Sequence, residues 1–214
     1  MGVQIYMILG TAVIPTAFAV YFWLRVRNVY GAGLKILREA VVELDLKDPY
    51  FNGHIKMVEH FSILMAESLR FSLRRKQELK LSIYLAEIGK IRIPDYILTK
   101  REKLNEEEKA IVKKHPIIAC KMVEDIKGLE KIAEIVRAHH ERYDGEGYPD
   151  NMLGDIIPIE SRIISIVDSY VAMISERPYK SALSENEAIE ELRKGKGKQF
   201  DGELVERFIK ILKK

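Results

Sequence analysis

Two adjacent histidines, His139 and His140, begin a short segment that also carries carboxylates and ends in a glycine-rich turn before Pro149. Imidazole nitrogens and carboxylate oxygens are the ligands that proteins offer to divalent transition metals. A lone histidine is more often structural than metal-binding, but an adjacent pair followed by Glu141 and a tight turn is a more specific pattern. The segment therefore predicts a metal site with a loop built into it.

The directions of the two imidazoles depend on the backbone that carries them. Neighbouring positions on an α-helix diverge by about 100°. His139 and His140 are therefore expected to face a broad cleft in which each serves a different metal or phosphate, rather than to form one tight chelate. Glu141 would either orient one of the ligands or face solvent.

Apolar residues recur at helical spacing along most of the chain. Gly89 is expected to stop one helix, and Asn105 with the three glutamates that follow is expected to cap the start of another. Helices are predicted at 54–73, 79–88, from Asn105 to near His115–Pro116, 117–127, 129–142, 159–175, 184–194 and 201–212, with a loop over 144–158. Because no alternating strand pattern of useful length occurs, the predicted fold class is all-α.

Charge and cysteine content narrow the class of protein. The net charge is +3, and the 35 basic and 32 acidic residues are spread along the chain without a basic stripe. Nucleic acid is therefore not an expected partner. The single cysteine, Cys120, cannot form an internal disulfide, which fits a reducing compartment, and it is expected to be a small core residue.

The first 24 residues contain no charged side chain and no histidine. About 20 apolar residues are enough for a helix to cross a bilayer, so residues 1–24 are predicted to be a transmembrane anchor. Arg25, Arg27, Lys35 and Arg38 follow, and the positive-inside rule then places the rest of the chain in the cytoplasm, on a single-pass protein of the inner membrane. Ala17-Phe18-Ala19 resembles a signal-peptide cleavage site, but no basic residues precede it, so an anchor is favoured.

Residues 25–47 follow the anchor with apolar positions at helical spacing, which predicts a short juxtamembrane helix. This helix is a candidate surface for homodimer formation. Residues 48–214 then form the remaining predicted domain.

The histidine segment resembles the HD-GYP family. His139-His140-Glu141, Asp144-Gly145 and Gly147-Tyr148-Pro149 look like its HHExxDGxGYP signature. Other similar stretches follow the family's order: Ile88-Gly89-Lys90-Ile91, His115-Pro116, Arg162 to Asp168, Arg177-Pro178-Tyr179-Lys180 and Phe200-Asp201. HD-GYP proteins are metal-dependent hydrolases of the bacterial second messenger cyclic di-GMP, and the resemblance extends from about His54 to Leu212.

This resemblance implies an HD-superfamily helical bundle with a metal cluster in its cleft. The implied metal ligands are His54, the HD pair at positions 86 and 87, His115, His139, His140 and Asp168. Such a mixture of nitrogen and oxygen donors suits iron or manganese, with zinc as a further option. Paired metals would hold the phosphate and stabilise the leaving oxygen during hydrolysis.

The resemblance also implies which residues contact the ligand. Lys90 lies three residues beyond Glu87, where it would offset phosphate charge or protonate the leaving group. Arg177 and Lys180 would hold the phosphates of the cyclic dinucleotide, and Tyr148 would contact it from the GYP loop.

Several positions depart from the family pattern. Ala86-Glu87 stands where the family has His-Asp, so one ligand is lost and a longer carboxylate replaces the other. Val171 replaces an acidic residue, Met57 replaces an arginine, and Tyr50 stands where members with a third metal carry a glutamate. The half of the site made by His115, His139 and His140 is complete, whereas the half with His54 and Asp168 is weakened.

Three functions fit this pattern. The favoured one is a module with one metal, two or none that binds cyclic di-GMP, a related cyclic dinucleotide or a protein partner through the GYP loop, with weak or no turnover. The alternative is an active phosphodiesterase in which Glu87 replaces the family aspartate. A structural membrane scaffold is the third, but it would not explain why His115, His139 and His140 are all present.

Overall fold

The computed structural model describes residues 53–100, 102–176 and 181–213. These residues belong to one unit that extends over Val41–Lys214. The predicted anchor at 1–24 and the predicted helix at 25–47 lie outside the described residues, as do Tyr50, Arg177 and Lys180. Within the described ranges, no helix combines the length and apolar character that crossing a membrane requires.

The described residues form α-helices joined by short turns and two 3₁₀ segments. The α-helices are α1 His54–Ser68, α2 Leu73–Ile88, α3 Asp95–Leu98, α4 Glu106–Val112, α5 His115–Val123, α6 Glu130–Arg137, α7 Ile159–Ile174, α8 Glu185–Lys194 and α9 Gly202–Leu212. The 3₁₀ segments are Gly89–Arg92 and Gly154–Ile156. Across these ranges the only pairing of strand type is two isolated bridges, so the all-α prediction is confirmed.

The helix predicted at 54–73 is shorter than expected, and the one predicted at 79–88 begins six residues earlier. α1 ends at Ser68, because Arg70 adopts a positive φ of 56°, which a right-handed helix does not allow. Ser72 then caps the start of α2 by accepting a hydrogen bond from the Arg75 N–H. Apolar spacing continues through this corner, so periodicity alone did not reveal the break.

Long-range packing centres on α1 and α7, with α9 lying against both. Phe61, Tyr170 and Phe208 come from these three helices and meet edge to face, with ring centroids 5.2–5.7 Å apart. Aromatic pairs in this arrangement contribute about 0.5–1.5 kcal/mol beyond their burial. The cluster fixes α7, and therefore Asp168, relative to the start of α1.

A second layer is formed where α2, α5 and α6 pack together. Its closest approach is at Gly89, where an added Cβ would lie 2.1 Å from the carbonyl oxygen of His115. Only glycine fits at this position. The end of α2 and the start of α5 are thus held in contact, which brings Glu87 beside His115.

One charged contact connects the two layers, and a second lies within the first layer. The guanidinium of Arg75 on α2 donates to Glu160 on α7 at 2.5 Å, and Glu160 is only 2% exposed. Arg162 pairs at 2.8 Å with Asp201, whose carboxylate also accepts backbone N–H groups at the start of α9. Ionised side chains in an interior need such partners.

Candidate metal centre

Three histidines converge in the cleft between the helices. His115, His139 and His140 each offer a ring nitrogen, and these atoms all lie within 4.8 Å of one another. The helical argument for different directions of the His139 and His140 rings does not hold. α6 ends at Arg137, so both residues follow the helix and the 100° divergence of helical neighbours does not apply to them.

His115 and His139 are oriented by the same kind of hydrogen bond to a backbone carbonyl three residues earlier. The Nδ1–H of His115 donates to the Val112 carbonyl at 2.8 Å, and the Nδ1–H of His139 donates to the Val136 carbonyl at 2.6 Å. Each carbonyl lies in the last turn of a helix, where it lacks a partner within the helix. The helix ends therefore fix both rings with Nε2 directed away from the carbonyl.

The donor chemistry fits a metal ion. With Nδ1 protonated, a neutral imidazole carries its lone pair on Nε2, and the two Nε2 atoms lie 3.1 Å apart. Burial lowers the pKa of His115 to about 4, helped by the charge of His139 and opposed by Glu87. Burial also lowers the pKa of His139, and that of His140 well below its usual value. Two lone pairs that face each other call for a cation between them, and metal–nitrogen bonds of about 2.0–2.1 Å span such a gap.

A second group lies at the junction of α1 and α7. The Nε2 of His54 is 2.8 Å from a carboxylate oxygen of Asp168, and the Asp168 side chain is 36% exposed. Desolvation opposes ionisation of Asp168, but the hydrogen bond and charge of His54 outweigh it and lower the pKa. The charge of Asp168 in turn acts on His140, so the two groups belong to one cleft.

Positions 86 and 87 occupy the last turns of α2. Ala86 is 2% exposed and offers no donor atom. Glu87 forms an ion pair with Lys90, which stands in the 3₁₀ segment after the helix. Desolvation opposes ionisation of Glu87, but the opposing interactions, of which the charge of Lys90 is the largest, hold its pKa well below the usual range. The replacement carboxylate is therefore ionised and already paired with a lysine.

The GYP loop folds back onto the histidine pair. Tyr148 stacks on His140 with ring centroids 5.0 Å apart, and its N–H donates to the His140 carbonyl at 3.3 Å. Burial and the nearby carboxylates of Glu87 and Asp168 raise the pKa of the Tyr148 hydroxyl, which stays protonated. Tyr148 is thus part of the wall of the metal centre.

Glu141 has a role that the sequence did not predict. It is 3% exposed, and its two carboxylate oxygens accept the N–H groups of Asp150 at 2.6 Å and Met152 at 3.0 Å. It neither orients a metal ligand nor faces solvent; it fastens the far end of the loop. Gly147 packs against the Glu141 backbone, with a hypothetical Cβ only 2.5 Å from the Glu141 Cα.

The structure therefore brings most of the predicted site residues into one cleft. His115, His139 and His140 form one group, His54 and Asp168 a second, and Glu87 with Lys90 lies beside the first. The proposed ligand-contacting residues Arg177 and Lys180 are outside the described residues. Sequence reasoning missed the orienting carbonyls of Val112 and Val136, whose only signal is a position three residues before each histidine.

Comparisons with known proteins agree with this architecture. Residues 41–204 match the protein family described as HD domain. The cyclic di-GMP phosphodiesterase response regulator RpfG of Xanthomonas campestris is 34% identical over 169 residues, 78% of this chain and 45% of that protein. A Thermotoga maritima protein named cyclic di-GMP phosphodiesterase is 37% identical over 171 residues, 79% of this chain and 46% of that protein. The chain thus spans less than half the length of these relatives.

A solved structure shares the fold. The crystal structure of cyclic GMP-AMP-specific phosphodiesterases in Vibrio cholerae (V-cGAP3) superposes with a TM-score of 0.64 at 16% sequence identity. The match covers 84% of this chain and 48% of that one.

Helices that converge on a group of histidines, without a sheet in the described ranges, are consistent with a domain of the HD superfamily. The match over residues 41–204 and the HHExxDGxGYP sequence show that the chain belongs to the HD domain family, in its HD-GYP group.

Proposed function

We propose that this protein is a membrane-anchored HD-GYP module of cyclic dinucleotide signalling that binds its ligand at a reduced metal centre, with weak or no turnover. The observation that supports it most directly is the uneven state of the two halves of the site. Three histidines converge within 4.8 Å, whereas buried Ala86 offers no ligand to the other half.

The metal that we propose is iron or manganese, held by His115, His139 and His140 with Glu87 as a further donor. His54 and Asp168 would hold a second ion only weakly, because the His-Asp pair that should bridge the two positions is Ala86-Glu87. When bound, the ion supplies positive charge to a phosphate oxygen.

The ligand that we propose is cyclic di-GMP or a related cyclic dinucleotide. Relatives that are 34% and 37% identical are named cyclic di-GMP phosphodiesterases, and the structural neighbour is described as specific for cyclic GMP-AMP. Lys90 and Tyr148 line the cleft beside the histidines, and Arg177 and Lys180 are proposed to hold the phosphates from the segment that follows α7.

An active phosphodiesterase is the second candidate, and the state of Glu87 favours it. The charge and hydrogen bond of Lys90 help to keep the pKa of Glu87 below its usual range, so the carboxylate is ionised at neutral pH and able to coordinate. Turnover would then require that Glu87 exchange Lys90 for a metal ion, with Lys90 left to offset phosphate charge.

We also propose the cellular arrangement that the sequence predicts. Residues 1–24 would anchor the protein in the inner membrane, with the domain at 48–214 in the cytoplasm, supported by the uncharged segment and the basic residues after it. Residues 25–47 would form a homodimer contact, and the GYP loop would be available to a protein partner.

The test combines metal content with turnover. The purified full chain is prepared without chelator, its iron and manganese are counted by elemental analysis, and hydrolysis of cyclic di-GMP is followed with each metal. We expect one ion per chain, binding of the ligand and little hydrolysis. The double variant Ala86→His, Glu87→Asp is the positive control, and we expect it to gain a second ion and turnover.

Efficient hydrolysis by the unmodified chain with two ions would establish the second candidate instead. No ligand binding in any metal state would exclude both.

A further inference from the structure

We infer that Lys113 is a phosphate-binding residue at the mouth of the metal cleft, where it takes the second phosphodiester of a cyclic dinucleotide. This inference rests on the proposed ligand class, and it concerns a residue outside the motifs of the sequence resemblance. Three observations support the inference: the position of Lys113, its charge environment and the turn in which it lies.

Lys113 lies at one end of a column of side chains that leads into the metal centre. Its Nζ is 5.4 Å from the centroid of the Tyr148 ring, and that ring stacks on His140. Lys113 is exposed, Tyr148 is half-buried and His140 is part of the histidine group. The column therefore runs from an exposed ammonium to the metal ligands.

The contact with Tyr148 gives the ammonium a defined place. A cation over an aromatic ring is stabilised by about 0.5–1 kcal/mol at an exposed site. This energy is too small to keep the ammonium on the ring when a stronger partner is present. It is enough to favour conformations of Lys113 in which the ammonium lies near the ring. A phosphate oxygen arriving beside Tyr148 would meet a cation already nearby.

Within the described ranges, Lys113 forms no ion pair with a carboxylate, whereas Lys109 and Lys100 each do. Lys109 pairs with Glu106 at 2.7 Å, and Lys100 pairs with Glu108 at 2.7 Å. Lys113 acts on Glu106 only as a weaker, secondary charge. Lys90, the cation expected to meet phosphate, is bound to Glu87. Lys113 is thus a cation beside Tyr148 that an anion can recruit without breaking an ion pair in the described ranges.

The backbone links Lys113 to the metal ligands. The residue before it, Val112, supplies the carbonyl that orients His115, and Lys113 itself is the C-terminal cap of α4. The same turn therefore orients a metal ligand and presents the lysine. Movement of this turn would shift both the Val112 carbonyl and the backbone of Lys113.

The chemistry of the ligand explains why a second cation is needed. A cyclic dinucleotide carries two phosphodiesters, each with one negative charge. If one lies on the metal ion, the other must find a donor outside the histidine group. A mononucleotide with one phosphate has no such need, which distinguishes contact with the second phosphate from a general electrostatic effect.

The experiment measures equilibrium binding to the manganese-loaded full chain by calorimetry. The ligands are cyclic di-GMP and guanosine monophosphate, and the proteins are the unmodified chain, Lys113→Ala, Lys113→Arg and Lys114→Ala. Lys114 is the matched control because it is the neighbouring exposed lysine, with the same charge. We expect Lys113→Ala to weaken cyclic di-GMP binding about tenfold, as for the loss of one charge-assisted hydrogen bond.

The remaining comparisons decide the interpretation. We expect Lys113→Arg to restore most of the affinity, Lys114→Ala to stay within twofold, and the mononucleotide to bind Lys113→Ala and the unmodified chain alike. The difference for cyclic di-GMP should shrink at high salt, since an exposed charge is screened. Equal losses for both ligands, or equal losses in Lys113→Ala and Lys114→Ala, would overturn the inference while the proposed function stands. If the unmodified chain binds neither ligand, the proposed function fails, and the inference fails with it.

Discussion

The Nε2 atoms of His115 and His139 lie 3.1 Å apart, and each ring commits its Nδ1–H to a backbone carbonyl. The pair is therefore a two-nitrogen clamp whose lone pairs face each other. Burial disfavours the imidazolium form of both rings, so a proton is a poor bridge between them. A divalent metal ion would resolve this repulsion, with His140 as a third nitrogen ligand.

Substitution of His115 should abolish tight metal binding. We expect His115→Ala to lower the affinity for manganese more than tenfold, because it removes one arm of the clamp. Metal competition with a fluorescent chelator measures this directly. His60→Ala is the control, since His60 is exposed and lies outside the histidine group. Unchanged affinity in His115→Ala would contradict the proposed ligand set.

Metal should stabilise the fold in proportion to its binding. A ligand that binds only the folded state adds about 2.7 kcal/mol at a concentration one hundred times its Kd. We therefore expect the thermal midpoint to rise with added manganese and to return after chelation. In His115→Ala the same manganese concentration should raise the midpoint less, because the ion binds that variant more weakly. A rise of equal size in that variant would show that the ion binds elsewhere.

Glu141 should be a stability determinant of the loop. Glu141→Gln replaces one acceptor oxygen by an NH₂ group that faces a backbone N–H, and we expect a loss of about 1–3 kcal/mol in the free energy of unfolding. Urea denaturation of the metal-free protein measures it. Glu146→Gln is the matched control, because Glu146 is in the same loop but its side chain is 79% exposed, and its effect should be under about 0.5 kcal/mol.

The ion pair between Arg75 and Glu160 should matter more than its neighbour on the same helix. Arg75→Ala leaves the buried Glu160 carboxylate without its guanidinium, and we expect a loss of about 1–3 kcal/mol. The adjacent Arg74 is 88% exposed and pairs with Glu78 on the same helix, so Arg74→Ala should cost under about 0.5 kcal/mol. Chemical denaturation compares the two. Adding Glu160→Gln to Arg75→Ala should recover part of the loss.

Cys120 should react slowly with alkylating reagents near neutral pH. Burial raises the pKa of its thiol above the usual value, and the hydrogen bond to Glu124 adds to this effect. The thiolate is the reactive form, so alkylation should accelerate only at alkaline pH and should be faster in Glu124→Gln. The unfolded thiol loses its proton first, so rising pH also removes the small stability that this shift contributes. Rapid alkylation of the folded protein at pH 7 would contradict it.

Much of the fold followed from local patterns. The cap at Asn105, the apolar spacing in α7 and the absence of strand alternation are signals that each lie within a few residues. The small break between α1 and α2 could not be predicted from local patterns, because it depends on one residue with positive φ inside a continuous apolar pattern.

The sequence named the three histidines that the structure brings together, but it could not give their geometry. The ligand residues came from a motif, which records residue types. Whether His139 and His140 face one point depends on where α6 ends, and that is decided by packing. Glu141 is the clearest example: its two hydrogen bonds reach nine and eleven residues along the chain. No spacing rule predicts contacts that a folded loop creates.

Gly89 has a consequence for how the metal would be acquired. Because no side chain separates the end of α2 from the start of α5, the position of His115 is set by helix packing, and the carbonyl contacts set its ring orientation. The conformational entropy of assembling the ligands is thus lost when the chain folds, not when the ion arrives. Metal capture then becomes an exchange of bound water for nitrogen on a prearranged site, and its rate should follow the ease with which the ion sheds that water.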